Sequence, residues 1–216
     1  MSKTPATPYF VFGASKGLGY QFVRELLEEG QNVSALVRDR TQAHQLEALG
    51  VRCSIGDALL PEDVRAALTI LPAGSCVIST LGSFQSDRPV DFEAHRIIID
   101  TMEDLQLRQF LLVTSWGCGD TWKWLSPRFR EIIGPAVRLK SLAESWLMTS
   151  RLDFRILRPV GLTDGSPTGS AVLSQNQEVH GLVRRADVAK RGLVLLRDPS
   201  TIGSIHACHD PSLEKL

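Results

Sequence analysis

The stretch GASKGLG, residues 13–19, decides the fold of this chain. It continues directly from the apolar run PYFVFG (8–13) and leads into LGYQFVRELLEEG (18–30), whose apolar residues recur at helical spacing. A strand, a glycine-rich turn and a helix, in that order and near the start of the chain, predict a dinucleotide-binding unit. The alternative interpretation is a glycine-rich turn that binds no ligand.

The three glycines of this turn have different expected roles. Gly13 permits the tight turn, Gly17 lets the backbone approach a pyrophosphate, and Gly19 lets the helix pack closely on the strand. The N-terminus of the helix adds free N–H groups and a positive dipole for the phosphates. We therefore expect the turn to bind a cofactor through the residues Gly13, Ser15, Lys16, Gly17, Leu18 and Gly19.

Apolar runs rich in β-formers alternate with longer amphipathic segments after this unit. Continuous apolar runs are typical of parallel strands buried on both faces, and strict β–α alternation predicts helices on both sides of the sheet. The sequence thus predicts an α/β fold, a single doubly wound parallel sheet (Rossmann fold) in one domain, residues 1–216, with substrate loops at 116–126 and 161–180. The second loop is either a lid or an ordinary surface loop. The predicted strands are 8–13, 32–37, 51–55, 75–80, 109–115 and 154–160.

The overall composition argues against several classes of protein. The 216 residues include 24 basic and 24 acidic side chains, so bulk charge gives no support to binding of nucleic acid or a membrane surface. We identify neither a signal peptide nor a membrane span. The cysteines stand far apart, which favours reduced thiols in a cytoplasmic protein. We expect a monomer or homodimer that binds a small-molecule substrate, and no metal site, because the histidines lack ligand spacing.

The end of the second strand bears on the choice of cofactor. Arg38 stands where a dinucleotide fold that binds NAD(H) places an acid for the ribose 2′-hydroxyl. An arginine instead offers a planar fork of donors to the 2′-phosphate of NADP(H), and Lys16 could reach the same phosphate. We therefore predict NADP(H), unless both cations are solvated surface residues. Asp57, beside the adenine, and its neighbour Ala58 complete the predicted set, although Asp57 could equally be an ordinary loop acid.

Two further strand ends carry candidate residues. Thr80, Leu81 and Gly82 follow the fourth strand and would let the backbone pass close to the cofactor's ribose, although Gly82 could be only a turn residue. Ser115 ends the fifth strand, where its hydroxyl could hydrogen-bond a heteroatom of the substrate. The alternative for Ser115 is a hydroxyl that satisfies the backbone at the strand end.

Lys140 lies on an amphipathic segment, four residues after Ala136. Many reductases that bind nicotinamide carry a proton-donating tyrosine at that earlier position, but the only tyrosines here are Tyr9 and Tyr20. Lys140 is either a donor to the nicotinamide ribose or a solvated cation paired with Glu144. Without the tyrosine, the sequence favours acceptors such as flavins, quinones and linear tetrapyrroles, which take a hydride into a conjugated system and a proton from water.

An aromatic cluster follows Ser115 directly in SWGCGDTWKW. Trp116, Trp122 and Trp124 could form a stacking wall that binds a planar substrate, or one or two of them could anchor the loop and the next helix. Cys118 in the same loop is interpreted as a spare thiol, with a redox-active thiol as the alternative. The histidines of SIHACHD (204–210) are expected to belong to the tail of the chain.

These motifs together resemble the atypical short-chain dehydrogenase/reductase superfamily, and within it the NAD(P)-binding group near biliverdin-IXβ/flavin reductases and NmrA-like proteins. The resemblance spans nearly the whole chain and implies a dinucleotide across the carboxyl ends of the strands. The nicotinamide would then lie near Ser115 and the turn that contains Pro159, Val160 and Leu162. Ala136 departs from the tyrosine-dependent branch. The motifs are GASKGLG, ALVRD, VISTLG, LLVTSWG, LDFRILRPVGLTDG and VRRADVAKRGLVLL.

The resemblance and the missing tyrosine predict an NADP-dependent oxidoreductase. It would transfer a hydride to a small planar conjugated substrate of the flavin, bilin or quinone type, with Ser115 and Lys140 as catalytic residues. Two alternatives stay open. One is a non-catalytic NAD(P)H-binding redox sensor or regulatory protein of the NmrA-like kind, and the other is a pathway-specific biosynthetic reductase or isomerase.

Overall fold

The computed structural model describes residues 7–83 and 89–213. The predicted domain, residues 1–216, therefore extends at both ends beyond the described residues, and residues 84–88 also lie outside them. The strands are β1 (Pro8–Phe12), β2 (Asn32–Val37), β3 (Arg52–Ile55), β4 (Cys76–Ser79), β5 (Gln109–Val113), β6 (Asp153–Pro159), β7 (Gly161–Thr163), β8 (Val172–Ser174), β9 (Leu182–Arg184) and β10 (Ser204–His209).

Helices connect most of these strands. Pro61 occupies the first turn of its helix, where its missing N–H costs nothing, and Gly30 and Gly50 follow helix ends with positive φ. The α-helices are α1 (Gly17–Glu28), α2 (Arg40–Glu47), α3 (Pro61–Thr69), α4 (Glu93–Asp104), α5 (Pro127–Met148) and α6 (Arg185–Arg197). Two 3₁₀ helices span Gly119–Trp124 and Pro199–Thr201.

The main sheet has eight strands in the order β3-β2-β1-β4-β5-β6-β10-β8. All neighbouring pairs from β3 to β10 are parallel, and only the edge strand β8 runs antiparallel to β10. The chain crosses the sheet between β1 and β4, which are neighbours although two strands separate them in sequence. Ligands of open α/β sheets bind outside the carboxyl ends of the strands at such a crossing point. We refer to this region as the carboxyl-end crevice.

Two apolar cores cover the two faces of the sheet. Alternate residues of β1 face opposite cores: Val11 belongs to one, and Phe10 and Phe12 belong to the other. Helices α1, α2 and α6 pack on the first core, whereas α3 and α4 and part of α5 pack on the second. The predicted doubly wound sheet with helices on both faces is therefore confirmed, with the antiparallel strand β8 as an addition.

Two predictions about the second half of the chain are wrong. The tail assigned to SIHACHD forms β10, which hydrogen-bonds β6 on one side and β8 on the other. The loop assigned to residues 161–180 contains β7 and β8. The half-exposed histidines interrupt the apolar pattern of β10, and strands of three residues are too short to show a pattern at all.

Candidate cofactor and substrate site

The glycine turn between β1 and α1 is shaped partly by the packing of the protein itself. A Cβ on Gly13 would lie 2.7 Å from Thr80 Oγ1, and a Cβ on Gly19 would lie 2.1 Å from the carbonyl oxygen of Gly13. Both positions therefore require glycine whether or not a ligand binds, because no side chain fits between the turn, the helix and the loop after β4.

Gly17 differs from its two neighbours in the turn. Its φ is +56°, and a Cβ there would meet only Arg185 Nε, at 3.8 Å, among the described residues. Helix α1 begins at Gly17, and its N-cap Lys16 makes no side-chain capping hydrogen bond. The side chain of Lys16 thus leaves the N–H groups of the first turn uncapped, as an anion site at a helix N-terminus requires. Ser15 is half-buried and Leu18 is buried under the helix.

Two exposed cations lie at the same edge of the sheet. Lys16 precedes α1, and Arg38 follows β2, whose residue Leu36 pairs with Phe12 at the end of β1. Asp39, the nearest acid in sequence, accepts a hydrogen bond from the N–H of Gln42 at 2.9 Å and so caps α2. Within residues 7–83 and 89–213, no carboxylate forms an ion pair with Lys16 or Arg38. An anion at this edge would therefore meet positive charge without a competing internal partner.

Asp57 follows β3 and is held in its turn by its own hydrogen bonds. Its Oδ1 accepts from the N–H of Leu59 at 3.0 Å, and its N–H donates to Asp63 Oδ2 at 2.8 Å. The preceding Gly56 donates to the carbonyl of Val37 at 2.8 Å, which places Asp57 beside the end of β2. Ala58 is buried. These two residues thus lie at the predicted edge, where Asp57 also has a structural role.

The loop after β4 is fixed from two sides. The N–H and Oγ1 of Thr80 both donate to the carbonyl of Phe12, at 3.1 and 3.2 Å. Lys140 Nζ donates to the carbonyl of Leu81 at 3.1 Å, and a Cβ on Gly82 would lie 3.0 Å from the same nitrogen. Glycine at position 82 therefore leaves room for the lysine head group beneath the loop.

Lys140 also forms an ion pair with Asp91 Oδ1 at 2.8 Å, with side-chain exposures of 14% for the lysine and 1% for the aspartate. Burial raises the pKa of Asp91, but the charge and hydrogen bond of Lys140, with further hydrogen bonds from Ser83, outweigh it and lower the pKa below its usual value. The predicted alternative of a solvated Lys140 paired with Glu144 is wrong. Lys140 is directed at the loop after β4, whereas Glu144 is directed at β6.

Sequence reasoning missed a buried polar network beside this ion pair. His95 is fully buried on α4; its Nδ1 lies 2.7 Å from the carbonyl of Asp91, and its Nε2 lies 2.9 Å from Ser79 Oγ. The carbonyl can only accept, so Nδ1 carries the proton and the serine hydroxyl donates to Nε2. Burial, with the nearby charge of Lys140, lowers the pKa of His95 to about 4, although Asp91 opposes this shift.

Ser115 lies at the carboxyl end of β5, next to the turn that follows β6. The N–H of Trp116 donates to the carbonyl of Pro159 at 2.9 Å, and the N–H of Val160 donates to the carbonyl of Cys208 at 3.0 Å. The structure therefore brings Ser115 and the turn at residues 159–162 together, as the resemblance implies. Ser115 Oγ donates to the carbonyl of Trp116 at 3.0 Å, as the backbone-satisfying alternative predicts.

Arg158 and Glu144 form a buried ion pair beneath this turn. Arg158 Nη2 donates to Glu144 Oε2 at 2.7 Å, and Arg158 Nε donates to Glu144 Oε1 at 3.0 Å. Thr114 donates to the same carboxylate at 2.5 Å, and exposed Asp120 accepts from Arg158 Nη1 at 2.6 Å. Burial lowers the pKa of Arg158, but the bonds and charge of Glu144 and Asp120 outweigh it and raise the pKa.

The three clustered tryptophans do not form one open wall. Trp116 is 7% exposed and stacks on Trp124 with ring centroids 5.4 Å apart and an interplanar angle of 6°. Trp122 packs on α5, where a Cβ on Gly134 would lie 3.2 Å from its ring, and Arg138 lies 5.3 Å from the ring centroid. The geometry therefore supports the anchoring interpretation for Trp116 and Trp122. Trp124 is half-buried and keeps exposed surface that a substrate could contact.

Two cavities lie beside strands β8 and β10. The larger, about 480 Å³, is lined by residues 177–180, 209–211 and Leu213. The smaller, about 250 Å³, includes Trp116 and Arg158 in its lining.

Cys118 is fully buried, and burial raises its pKa to about 12, so it is not a reactive thiol. No group of three potential metal ligands was found among the described residues, and no helix there is long and apolar enough to span a membrane.

Comparisons with known proteins identify the relatives of this chain. Residues 13–199 match the family described as NAD(P)H-binding. A solved structure of the anaerobillin reductase ChuY from Escherichia coli O157:H7 is 42% identical with a TM-score of 0.91, covering 97% of this chain and 100% of that one. The photosystem II assembly factor Ycf39 of Cyanophora paradoxa is 28% identical over 159 residues, which are 72% of this chain and 46% of the relative. The chain thus spans about half the length of the first curated relatives that it matches. The uncharacterized sugar epimerase YhfK of Bacillus subtilis is 26% identical, covering 89% of each chain.

Proposed function

Because the chain belongs to the NAD(P)H-binding family, we propose that it is an NADPH-dependent reductase whose acceptor is a linear tetrapyrrole. The observation that carries the proposal is the likeness to the anaerobillin reductase ChuY, which is 42% identical and extends over 97% of this chain. A likeness of that length includes both the glycine turn and the segments beyond β6. It therefore supports a shared class of substrate as well as a shared cofactor.

The choice of NADPH over NADH rests on charge at the end of β2. Arg38 and Lys16 are exposed and form no ion pair with a described carboxylate. A 2′-phosphate carries a charge that an arginine fork binds with two hydrogen bonds, whereas a ribose hydroxyl would be held better by an acid. The open space beside Gly17 fits the pyrophosphate of the same cofactor.

The residues of the chain contribute positioning of the cofactor and the acceptor more than acid catalysis. NADPH, when bound, supplies the hydride. Lys140 and Asp91 hold the loop at residues 80–83 in place from below, through the 3.1 Å hydrogen bond to Leu81 and the 2.8 Å ion pair. Ser115 borders the crevice and needs only to turn its hydroxyl from the backbone to contact an acceptor.

The proton comes from water in this proposal. Ala136 occupies the position of the usual tyrosine donor, one turn before Lys140 on α5. General acid catalysis contributes about 10²–10⁴-fold when an alkoxide must be protonated. A linear tetrapyrrole spreads the incoming electron pair over a conjugated system, so its reduction does not require a donor at the same instant.

The test is NADPH oxidation, followed by the near-ultraviolet absorbance of the reduced nicotinamide, with a tetrapyrrole, a flavin, a quinone and an aliphatic ketone. We expect turnover of the tetrapyrrole and at least about a hundredfold slower reaction with the ketone, because no donor protonates an alkoxide. Ser115→Ala should lower kcat about tenfold, as for one lost hydrogen bond. Ser145→Ala, an exposed serine on α5, is the matched control. Rapid ketone reduction, or no reaction with the tetrapyrrole, would refute the proposal.

A second candidate function is a nicotinamide-binding sensor without turnover. The observation in its favour is Ala136, since the chain lacks the residue that drives carbonyl reduction in tyrosine-dependent relatives. The same assay separates the two functions. A sensor would bind NADPH tightly, oxidise it with none of the acceptors, and change its oligomeric state or its binding to a partner protein with the cofactor.

A further inference from the structure

Arg185 reaches the glycine turn from the far end of the sequence. It is the first residue of α6, and its Nε is the one atom within 4 Å, at 3.8 Å, of the position that a Cβ on Gly17 would take, among the described residues outside the local backbone. Helices α6 and α1 pack closely, since a Cβ on Gly192 would lie 2.6 Å from the ring of Phe22. That packing places the N-terminus of α6 beside the N-terminus of α1.

The guanidinium of Arg185 has a fixed partner on one side only. Its Nη1 lies 2.8 Å from Oδ1 of Asp164, a residue directly after β7, with side-chain exposures of 24% for the arginine and 85% for the aspartate. A guanidinium carries five N–H donors, so this ion pair leaves most of them available. The side of the guanidinium that carries Nε faces the glycine turn. No described side chain there accepts a hydrogen bond from Nε.

The acids that surround this arginine leave its charge available. Asp187, two residues further along α6, accepts hydrogen bonds from the N–H groups of Thr168 and Gly169 at 2.8 and 3.0 Å and so is directed away. The first turn of α1 contains no acid. The space beside Gly17 is thus bordered by the N–H groups of α1 and by one arginine whose only described ion-pair partner, Asp164, is largely in water.

We propose that Arg185 is a pyrophosphate-binding residue. Its Nε edge donates to the pyrophosphate of the cofactor beside Gly17, while its Nη1 stays on Asp164. One guanidinium then links the cofactor to the segment that continues from β7. This inference rests on the proposed function, because it requires that the glycine turn binds a dinucleotide.

Arg185 and Arg38 would bind different phosphate groups of the cofactor. The pyrophosphate is common to NADPH and NADH, so the contribution of Arg185 is the same for both cofactors. The contribution of Arg38 concerns the 2′-phosphate, which only NADPH carries. A purely structural role, in which Arg185 only fastens Asp164, predicts that removal of either partner has the same small effect.

The test is titration of the full chain with NADPH, NADH, ADP and adenosine. Arg185→Gln should weaken NADPH, NADH and ADP alike, by about tenfold or more, as expected for a lost charge-assisted hydrogen bond, and leave adenosine unchanged. Arg185→Lys should recover part of the affinity through its charge. Asp164→Asn, which removes the ion pair and keeps the guanidinium, should change the affinity less than about threefold. Arg24→Gln is the matched control, since it removes the same charge from an exposed site on α1.

Each outcome decides between specific alternatives. If the parent protein binds NADPH and Arg185→Gln binds it equally well, the inference is wrong and the proposed function stands. If Arg185→Gln and Asp164→Asn lose affinity equally, Arg185 acts only through its ion pair and the inference is again wrong. If the parent protein binds none of the nucleotides, the proposed function fails and the inference fails with it.

Discussion

Gly17 and Gly19 stand two positions apart in one turn, but their surroundings predict different results for the same substitution. Gly19→Ala would press a methyl group onto the carbonyl of Gly13, so we expect the free energy of unfolding to fall by about 3 kcal/mol. Gly17→Ala meets open space and costs about 1 kcal/mol through its positive φ. The folded Gly17→Ala variant should lose NADPH affinity at least about tenfold, because its methyl group occupies the place of the pyrophosphate. Urea unfolding and calorimetric titration measure the two effects. A Gly19→Ala variant as stable as the parent would contradict this reasoning.

Arg38 supports a prediction about cofactor choice. The parent protein should bind NADPH about tenfold more tightly than NADH, and Arg38→Ala should remove that preference while it leaves NADH affinity unchanged, because only NADPH carries the 2′-phosphate. Arg40→Ala, an exposed arginine two residues along, is the control. Equal affinities of the parent protein for NADPH and NADH, measured by calorimetry, would show that Arg38 does not bind the 2′-phosphate.

The residues that the sequence identified and those that it missed differ in a physical respect. The close approach of Gly19 to the carbonyl of Gly13 lies within one turn, so the spacing of the glycines alone predicted it. Lys140 and Glu144 have helical i, i+4 spacing, but tertiary partners, Asp91 for one and Arg158 for the other, outcompete a contact along the helix. Arg185 lies beside Gly17 only through the packing of α1 on α6. No local pattern signals that proximity.

The buried ion pair of Glu144 and Arg158 links helix α5 to strand β6, and it predicts which of two acids matters for stability. Glu144→Gln would leave the charge of Arg158 buried without its closest partner, so we expect a loss of about 3 kcal/mol in the free energy of unfolding. Asp120→Asn removes the exposed partner of the same arginine and should cost less than about 1 kcal/mol. Denaturant unfolding of both variants is the measurement, and equal losses would argue against the assignment.

Some elements of the fold were predictable and others were not. Strands β1 to β6 agree with the predicted runs to within two residues at each end, because parallel strands buried on both faces are continuously apolar. Strand β10 was missed because its two histidines resemble a polar tail. It becomes a strand through its pairing with β6 and β8, which are distant in sequence. The tryptophan segment was expected as a loop, but part of it forms a 3₁₀ helix at Gly119–Trp124, in which Trp122 packs on α5 and Trp124 stacks on Trp116.

The stability of the whole molecule should depend on pH through His95. Its pKa is about 4 in the folded protein, against an ordinary value of 6.5, so the unfolded chain binds more protons between those values. The free energy of unfolding should therefore fall as the pH is lowered from 6.5 toward 4, by up to about 3 kcal/mol, with no contribution from His95 above that range. Burial also lowers the pKa values of His206 and His209, which adds to the same slope. His95→Asn should make the slope shallower, whereas exposed His44→Asn should not. Equal slopes for the parent protein and His95→Asn would contradict the assignment.

At the scale of the whole molecule, the sequence predicted the fold class and the superfamily, and both are confirmed by the sheet order and by the match over residues 13–199. Alternating apolar runs and a glycine turn suffice to predict the fold class and the superfamily, because they specify the parallel sheet and the turn at the carboxyl end of its first strand. The acceptor was less predictable. The tryptophan cluster was visible in the sequence, but the stacking of Trp116 on Trp124 and the packing of Trp122 on α5 depend on tertiary contacts that no local pattern encodes.

In the proposed function, this chain moves a hydride from NADPH to a carbon of a linear tetrapyrrole, and the proton comes from water. The most direct measurement is mass spectrometry of the reduced tetrapyrrole after turnover with NADPH dideuterated at C4 of the nicotinamide, in ordinary water. We predict a single carbon-bound deuterium in each reduced molecule. In the converse experiment, with unlabelled NADPH in heavy water, we predict that the second hydrogen comes from the solvent. A product without deuterium from the labelled cofactor, or NADPH that stays unoxidised in the presence of the tetrapyrrole, would contradict the claim.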